Sequence, residues 1–521
     1  MIQMSSISRR EMLKLGSIGS LASLAGVTPE GVAEALANDA HPAVPKWNVF
    51  ELALQGPSTG NPFTEVVLSA AFTLEHRTVQ VDGFYDGSGI YKLRFMPDAE
   101  GGWSYSTSSN APALNGKAGA FQCVAPEFGS RGPVSVRDGY HFGYADGTPF
   151  VECGTTCYAW AFQSEATQRQ TIETLTASPF NKLRMCLFPK WYQHNHNEPP
   201  MYPFPRKAEV NDYSTFNVAY FQHLDRLILE LRRIGVQADL ILFHPYDKWG
   251  YQSMPAEVDD RYLRYVIARF SAYRNVWWSL ANEYDLMQAK TAKDWDRYAR
   301  ILAEYDAFDH LRSVHYCFHQ YEYGRGWCTH AGVQDSRLYL GANWRNDWHK
   351  PVVFDECRYE GNIASTWGDL SGDAMTRRFW MAAVQGCYCG HGETYLDPND
   401  ILWWSHGGTL HGSSPAKIAF LRTLLEETIA LGPGPIGFTN FSDEPMGARR
   451  ANDSVIFYYF DEHQPAEGTF ALPQGKSYTA EYIDTIHLTR APLPGEYSGN
   501  AEVKLPGTPW GSLWFRQKGV A

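Results

Sequence analysis

Residues 275–285 read NVWWSLANEYD, an apolar run with little alternation that ends on Asn282 and Glu283. A strand wetted on one face alternates with period two. The run Val276, Trp277, Trp278, Leu280, Ala281 instead suits a strand buried on both faces, as in a parallel sheet covered by helices. A carboxyl group at the end of such a strand is costly to bury unless it has a task. A second apolar run, KPVVFDECRYEG at 350–361, ends in the same way on Asp355 and Glu356.

Outward from these two strands, residues 134–432 alternate apolar runs with amphipathic stretches. The candidate strands are PFVECGTT (149–156), NKLRMCLF (181–188), VQADLILF (236–243), NVWWSLAN (275–282), LRSVHYCF (311–318), GWCTH (326–330), PVVFDE (351–356) and GCYCGHG (386–392). Helical spacing is read over 168–177, 217–235, 260–273, 291–306 and 373–385, with a last helix over 414–431. Eight strands alternating with helices over about 300 residues predict a (β/α)8 TIM barrel, whose sites lie at the strands' C-terminal ends. The Glu283 and Glu356 strands are fourth and seventh.

The flanks read differently. Residues 45–127 hold short β runs separated by Gly, Pro, Asn and Asp, the pattern of an N-terminal β-sandwich; 128–133 reads as a linker. Residues 433–521 follow the break GPGPIG and read as a small C-terminal β domain. Residues 1–37 carry Arg9-Arg10, a short apolar stretch rich in Gly and Ser, and Ala35-Leu36-Ala37, which together predict a twin-arginine export signal cleaved before Asn38. The stretch is too short to span a bilayer. The expected location is periplasmic or secreted.

Composition excludes several partners. With 45 Lys and Arg against 57 Asp and Glu, net charge is −12, and no basic run suggests nucleic acid or an anionic membrane. Aromatic residues reach 14%; Trp and Tyr faces stack on sugar rings, although most must serve the core. Nine cysteines lack zinc-ribbon spacing, so neither a structural metal nor a cofactor is expected. Disulfide pairing and oligomeric state are not legible.

Two carboxyl groups facing each other across a barrel mouth suit hydrolysis of a glycosidic bond, one as proton donor and one as nucleophile. The segment 134–432, with Asn282-Glu283 ending strand four, Glu356 ending strand seven and FNKLRMCLF as strand two, resembles the clan A retaining glycoside hydrolases. The three-part layout resembles bacterial glycosidases with an apiosidase-like barrel, an N-terminal immunoglobulin-like β domain and a small C-terminal β domain. The resemblance implies that Glu283 is the acid/base, Glu356 the nucleophile, and Arg184 the cation that keeps Glu356 ionised while Glu283 rests protonated. Asp355 and Glu360 are the rival carboxylates; Glu360 is expected out on the loop. Expected substrate contacts are Arg184, Asn282, His244, Tyr316, His330 and Trp404, with further strand-end groups at Thr155, Tyr158, His315, His391 and Glu393. Long loops at 189–205 and 321–327 predict a walled, exo-acting site on an oligo- or polysaccharide. A metal-dependent hydrolase would need an H-x-H at the end of the first strand or an H-E-x-x-H motif, and the sequence has neither. The remaining alternative is a noncatalytic carbohydrate-binding protein built on a barrel scaffold.

Overall fold

The structure, a computed structural model, describes residues 41–396, 402–430, 436–440, 446–450 and 452–520. The export signal read over 1–37 lies outside them. The protein is multidomain, with a parallel-strand barrel between two β domains. The barrel strands are β1 (Gly154–Thr156), β2 (Lys182–Cys186), β3 (Gln237–Phe243), β4 (Val276–Ala281), β5 (Arg312–Ser313), β6 (Ala331–Gln334), β7 (Val352–Glu356) and β8 (Tyr388–His391). Their hydrogen-bonded order is β5-β4-β3-β2-β1-β8-β7-β6. Every strand of β2, β4 and β7 is buried along its whole length, as the unalternating apolar runs require.

Helices α1 (Glu165–Ala177), α2 (Val218–Arg233), α3 (Ala256–Phe270), α4 (Ala292–Tyr305), α5 (Gly341–Trp348), α6 (Gly372–Val384) and α7 (Ser414–Ala430) surround the sheet. In α2, Tyr220, Phe221, Leu224, Leu227, Ile228 and Leu231 recur at three- and four-residue spacing and are all buried, which fixes the face turned to the strands. Ser164 and Ser371 accept N–H bonds from Thr167 and Ala374 and so cap α1 and α6.

The barrel is nearly closed. No ladder joins β5 to β6 among the described residues, and side chains stitch this seam instead. Ser313 Oγ donates to His330 O and accepts from Gly332 N, both at 2.9 Å. The Tyr323 hydroxyl bonds Val314 O at 2.8 Å and also Gly332 O, reaching both sides of the gap. Strand six therefore begins at Ala331, not in GWCTH, and β5 leads to it through irregular chain rather than a helix. A β5 of two residues leaves little ladder, and the polar Ser313, Thr329 and Tyr323 take over its hydrogen bonds. The first strand is also shorter than expected. Pro149–Phe150 belongs to a three-stranded meander with residues 134–137 and 141–144, and Phe142 and Phe150 close the barrel floor against Trp277, with ring centroids 5.0 and 5.9 Å away.

The N-terminal domain packs a five-stranded sheet on a three-stranded one. Phe50 stacks on Phe121 and Phe72 on Phe95, each at 4.3 Å, at the centre of its core. It is fastened to the barrel by Arg94, which bonds Asp225 Oδ1 at 2.6 Å and Arg269 O at 2.7 Å. The C-terminal domain holds a six-stranded and a two-stranded sheet, joined to α6 through Trp380 stacked on Tyr459 at 5.6 Å. All nine cysteines are free thiols. Among the described residues, no helix is long and apolar enough to cross a membrane.

Candidate active site

The barrel interior carries charge as well as apolar bulk, and the site stands on that charge. Residues two apart on a strand share a face, so Lys182 and Arg184 of β2 form successive layers. Lys182 Nζ lies 3.0 Å from Glu152, 2.9 Å from Asp355 and 3.8 Å from Asp239. Against the cost of burial, Lys182 and Arg184 hold the Asp355 carboxyl well below the usual range, whereas burial pushes Glu152 up to about 7. Asp355 is thus spent on the lower layer, which removes it as a rival nucleophile.

Arg184 forms the next layer. Its Nε lies 3.5 Å from Asp239 Oδ2, Nη2 donates to Asn282 Oδ1 at 3.4 Å, and Nη1 stands 3.6 Å from Glu356 Oε1. Asn282 also accepts from the Tyr158 hydroxyl at 3.0 Å and donates through Nδ2 to Glu283 Oε2 at 3.1 Å. The Tyr246 hydroxyl donates to the same Glu283 oxygen. Glu283 itself has φ 51 and ψ 56, a left-handed conformation uncommon outside glycine and found where function requires a side chain at a sharp turn. The turn is held by Asn282 N on Phe243 O and Tyr284 N on His315 O, both 2.9 Å.

Glu356 is 3% exposed. Burial pushes its carboxyl up to about 8, opposed in part by the neighbouring Tyr359 hydroxyl. The expectation that Arg184 keeps it ionised at rest is corrected here. The guanidinium is shared among Asp239, Asp355 and Asn282, and at 3.6 Å it does not offset the lost hydration of Glu356. His315 lies across from it with Nε2 3.8 Å from Glu356 Oε1; among the described residues neither of its ring nitrogens has a hydrogen-bond partner, and burial holds it neutral.

Five of the expected residues, Arg184, Asn282, Glu283, Glu356 and Trp404, come together. Trp404 forms an aromatic wall with Tyr158 at 5.6 Å, Tyr192 at 5.6 Å and Tyr359 at 5.4 Å. Three others do not join them. His330 precedes β6 and packs on the floor against Phe142 and Trp277, 5.7 and 5.4 Å between centroids; the late start of β6 puts it at the wrong end of the strand. His244 spends both nitrogens on backbone, Nε2 with Phe188 O at 3.1 Å and Nδ1 accepting from Tyr246 N at 3.2 Å, and burial lowers it to about 4. It orients Tyr246 and leaves no nitrogen for a ligand. Tyr316 packs toward Tyr323 of the seam, at 6.5 Å. The residues missed are Lys190, Tyr192, Tyr246 and Tyr359. Each follows a strand by a few positions, the distance at which a βα loop turns back over the mouth.

Glu360, expected on an open loop, is fully buried. With His391 and Glu393 it forms the one trio among the described residues suited to a cation, its ligand atoms all within 4.8 Å. The carboxylates are already engaged: Glu393 accepts from His411 N and Gly412 N, and Glu360 from Ser413 N and Ser414 N. A Cβ on Gly412 would fall 2.4 Å from Glu360 Oε2 and 2.7 Å from Glu393 Oε2. The trio is a knot that ties the β7 and β8 loops to the start of α7.

A barrel with a glutamate ending β4 after an asparagine, a second ending β7, and an aromatic wall beside them defines a glycoside hydrolase. Family comparison agrees: residues 137–413 match the apiosidase-like catalytic domain, 43–110 the domain of unknown function DUF5060 and 443–515 the domain of unknown function DUF5605. The chain belongs to the apiosidase-like family. Among solved structures it is similar to a candidate glycoside hydrolase from Bacteroides vulgatus, at 35% identity and TM-score 0.86 over 91% of this chain and 100% of that one. A glycoside hydrolase family 5 protein from the same organism shares the fold at 13% identity and TM-score 0.58, over 75% of this chain and 94% of that one. A comparison with curated proteins finds no match.

Proposed function

We propose that the enzyme cleaves a glycosidic bond of an oligo- or polysaccharide with retention, Glu283 serving as acid/base and Glu356 as nucleophile. The observation that carries this reading is that one buried pair, Asn282 and Arg184, touches both glutamates. In the first step the ionised Glu356 bonds to the anomeric carbon while the bond to the leaving oxygen breaks and Glu283 gives that oxygen its proton. In the second, Glu283 takes a proton from water, whose oxygen displaces Glu356. Because burial raises Glu356, its proton leaves before attack, and the reactive form gains population toward alkaline pH. Asn282 and His315 offer polar groups for the sugar hydroxyls.

The action is exo. The loop after β2 is tied to the segment carrying Trp404, through Ser405 Oγ on His194 O at 3.1 Å and His406 Nε2 with Asn195 Oδ1 at 3.0 Å, and this walls one side of the mouth. The enzyme works after twin-arginine export, in the periplasm or outside the cell. Hydrolysis of a panel of aryl glycosides and polysaccharides, with the product anomer followed by NMR, tests the mechanism. Net inversion, or full activity in Glu283→Gln or Glu356→Gln, rejects it.

A further inference from the structure

Lys190 stands two residues after Phe188 at the mouth of the barrel and is 2% exposed. Its ammonium lies over four rings: Tyr158 at 3.4 Å, Tyr192 and Tyr246 at 4.5 Å, and Trp404 at 5.8 Å from the centroids. Among the described residues no carboxylate forms an ion pair with it. The protein's other buried lysines differ. Lys182 has Glu152 and Asp355 at 3.0 and 2.9 Å, and Lys290 has Asp259. An ammonium taken out of water without an anion is costly. Ring faces recover part of that cost, yet burial still lowers Lys190 to about 8.

The cage shares its walls with the carboxylate pair. Tyr158 bonds Asn282, Tyr246 bonds Glu283, and Trp404 packs on Tyr359 beside Glu356. Glu283 acts on the ammonium without pairing with it, and as the acid it must carry a proton and no charge when substrate binds. A sugar that brings a carboxylate would supply the missing anion.

Building on the glycosidase reading, we propose that the sugar released by this enzyme is a uronate, whose carboxylate pairs with the Lys190 ammonium inside the aromatic cage. Methionine matches the lysine stem in length and removes the charge, so Lys190→Met isolates the effect.

The test has two arms. Calorimetric titration of the full chain with D-glucuronate and D-galacturonate, against D-glucose and D-galactose, is expected to show at least tenfold tighter binding of one uronate than of its neutral counterpart, and Lys190→Met is expected to abolish that preference. In parallel, the ratio of kcat/KM for matched 4-methylumbelliferyl uronides and hexosides is expected to fall at least tenfold in Lys190→Met. Cleavage of neutral glycosides with no uronate preference overturns the proposal and leaves the glycosidase reading standing. Uronate binding that depends on Lys190, with no glycoside cleaved, supports the anion site and rejects the glycosidase reading instead. If Lys190→Met does not fold, Lys190→Gln replaces it, and equal binding of uronate and neutral sugar by the native protein already overturns the proposal.

Discussion

Arg184 Nη1 stands 3.6 Å from Glu356 Oε1, yet burial rather than this cation sets the state of the carboxyl, which is pushed up to about 8. The guanidinium serves as a geometric bracket, holding Asn282 with Nη2 while it faces Glu356 with Nη1.

The pH profile should show this directly. Attack needs Glu356 ionised and departure needs Glu283 protonated, so kcat/KM is expected to pass through a maximum, with its rising limb set by the raised Glu356 carboxyl. Stability moves the opposite way. The folded carboxyl keeps its proton up to about 8, whereas an unfolded glutamate loses it near 4.3. Between those values the folded state binds more protons, and the site costs ~1.4 kcal/mol per pH unit. Glu356→Gln is therefore expected to melt higher than the native protein at pH 8, with the gain shrinking to nothing near pH 4.5. Thermal unfolding at both pH values checks this; a gain independent of pH contradicts it.

Removal of the acid/base should depend on the leaving group. Glu283→Gln is expected to lower kcat/KM by ~10²- to 10⁴-fold on unactivated glycosides, and far less on aryl glycosides whose leaving group needs no proton. Equal losses on both substrate classes would remove Glu283 from that role.

Tyr246→Phe deletes the phenol that donates to Glu283 Oε2. A hydrogen bond of this kind contributes ~0.5–1.5 kcal/mol, which corresponds to a fall in kcat/KM of about 2- to 12-fold. Circular dichroism is expected to remain native, because His244 still bonds the Tyr246 backbone.

Tyr323→Phe should act on stability. Its hydroxyl serves Val314 O and Gly332 O across the seam, and leaving these buried carbonyls short of a donor costs ~1–3 kcal/mol. A lower Tm and faster hydrogen exchange over residues 312–334 are the expected signs.

Replacing Arg9 and Arg10 with lysine is expected to keep the chain in the cytoplasm, and N-terminal sequencing of the exported protein should begin at Asn38.

The two strands ending on Glu283 and Glu356 were legible because a strand buried on both faces must be apolar along its length, and NVWWSLAN and PVVFDE are. The helix faces were legible from spacing in the same way. Strand six was not. Ala331–Gln334 has four residues, two of them Gly and Gln, and its hydrogen bonds come partly from Ser313 and Tyr323 far from it in sequence. With its start misplaced, His330 was assigned to the mouth when it lies on the floor.

The sequence by itself determined the barrel, its flanking β domains and the two glutamates, since periodicity, strand order and a carboxyl group at a strand end are local properties. Only the tertiary structure decided what surrounds those glutamates: that Asp355 is neutralised by Lys182, that Glu360 is buried in a knot with Glu393, that His244 is spent on backbone, and that Lys190 sits among four rings. Burial and pairing depend on which loops meet over the barrel mouth, and no stretch of chain records its distant neighbours.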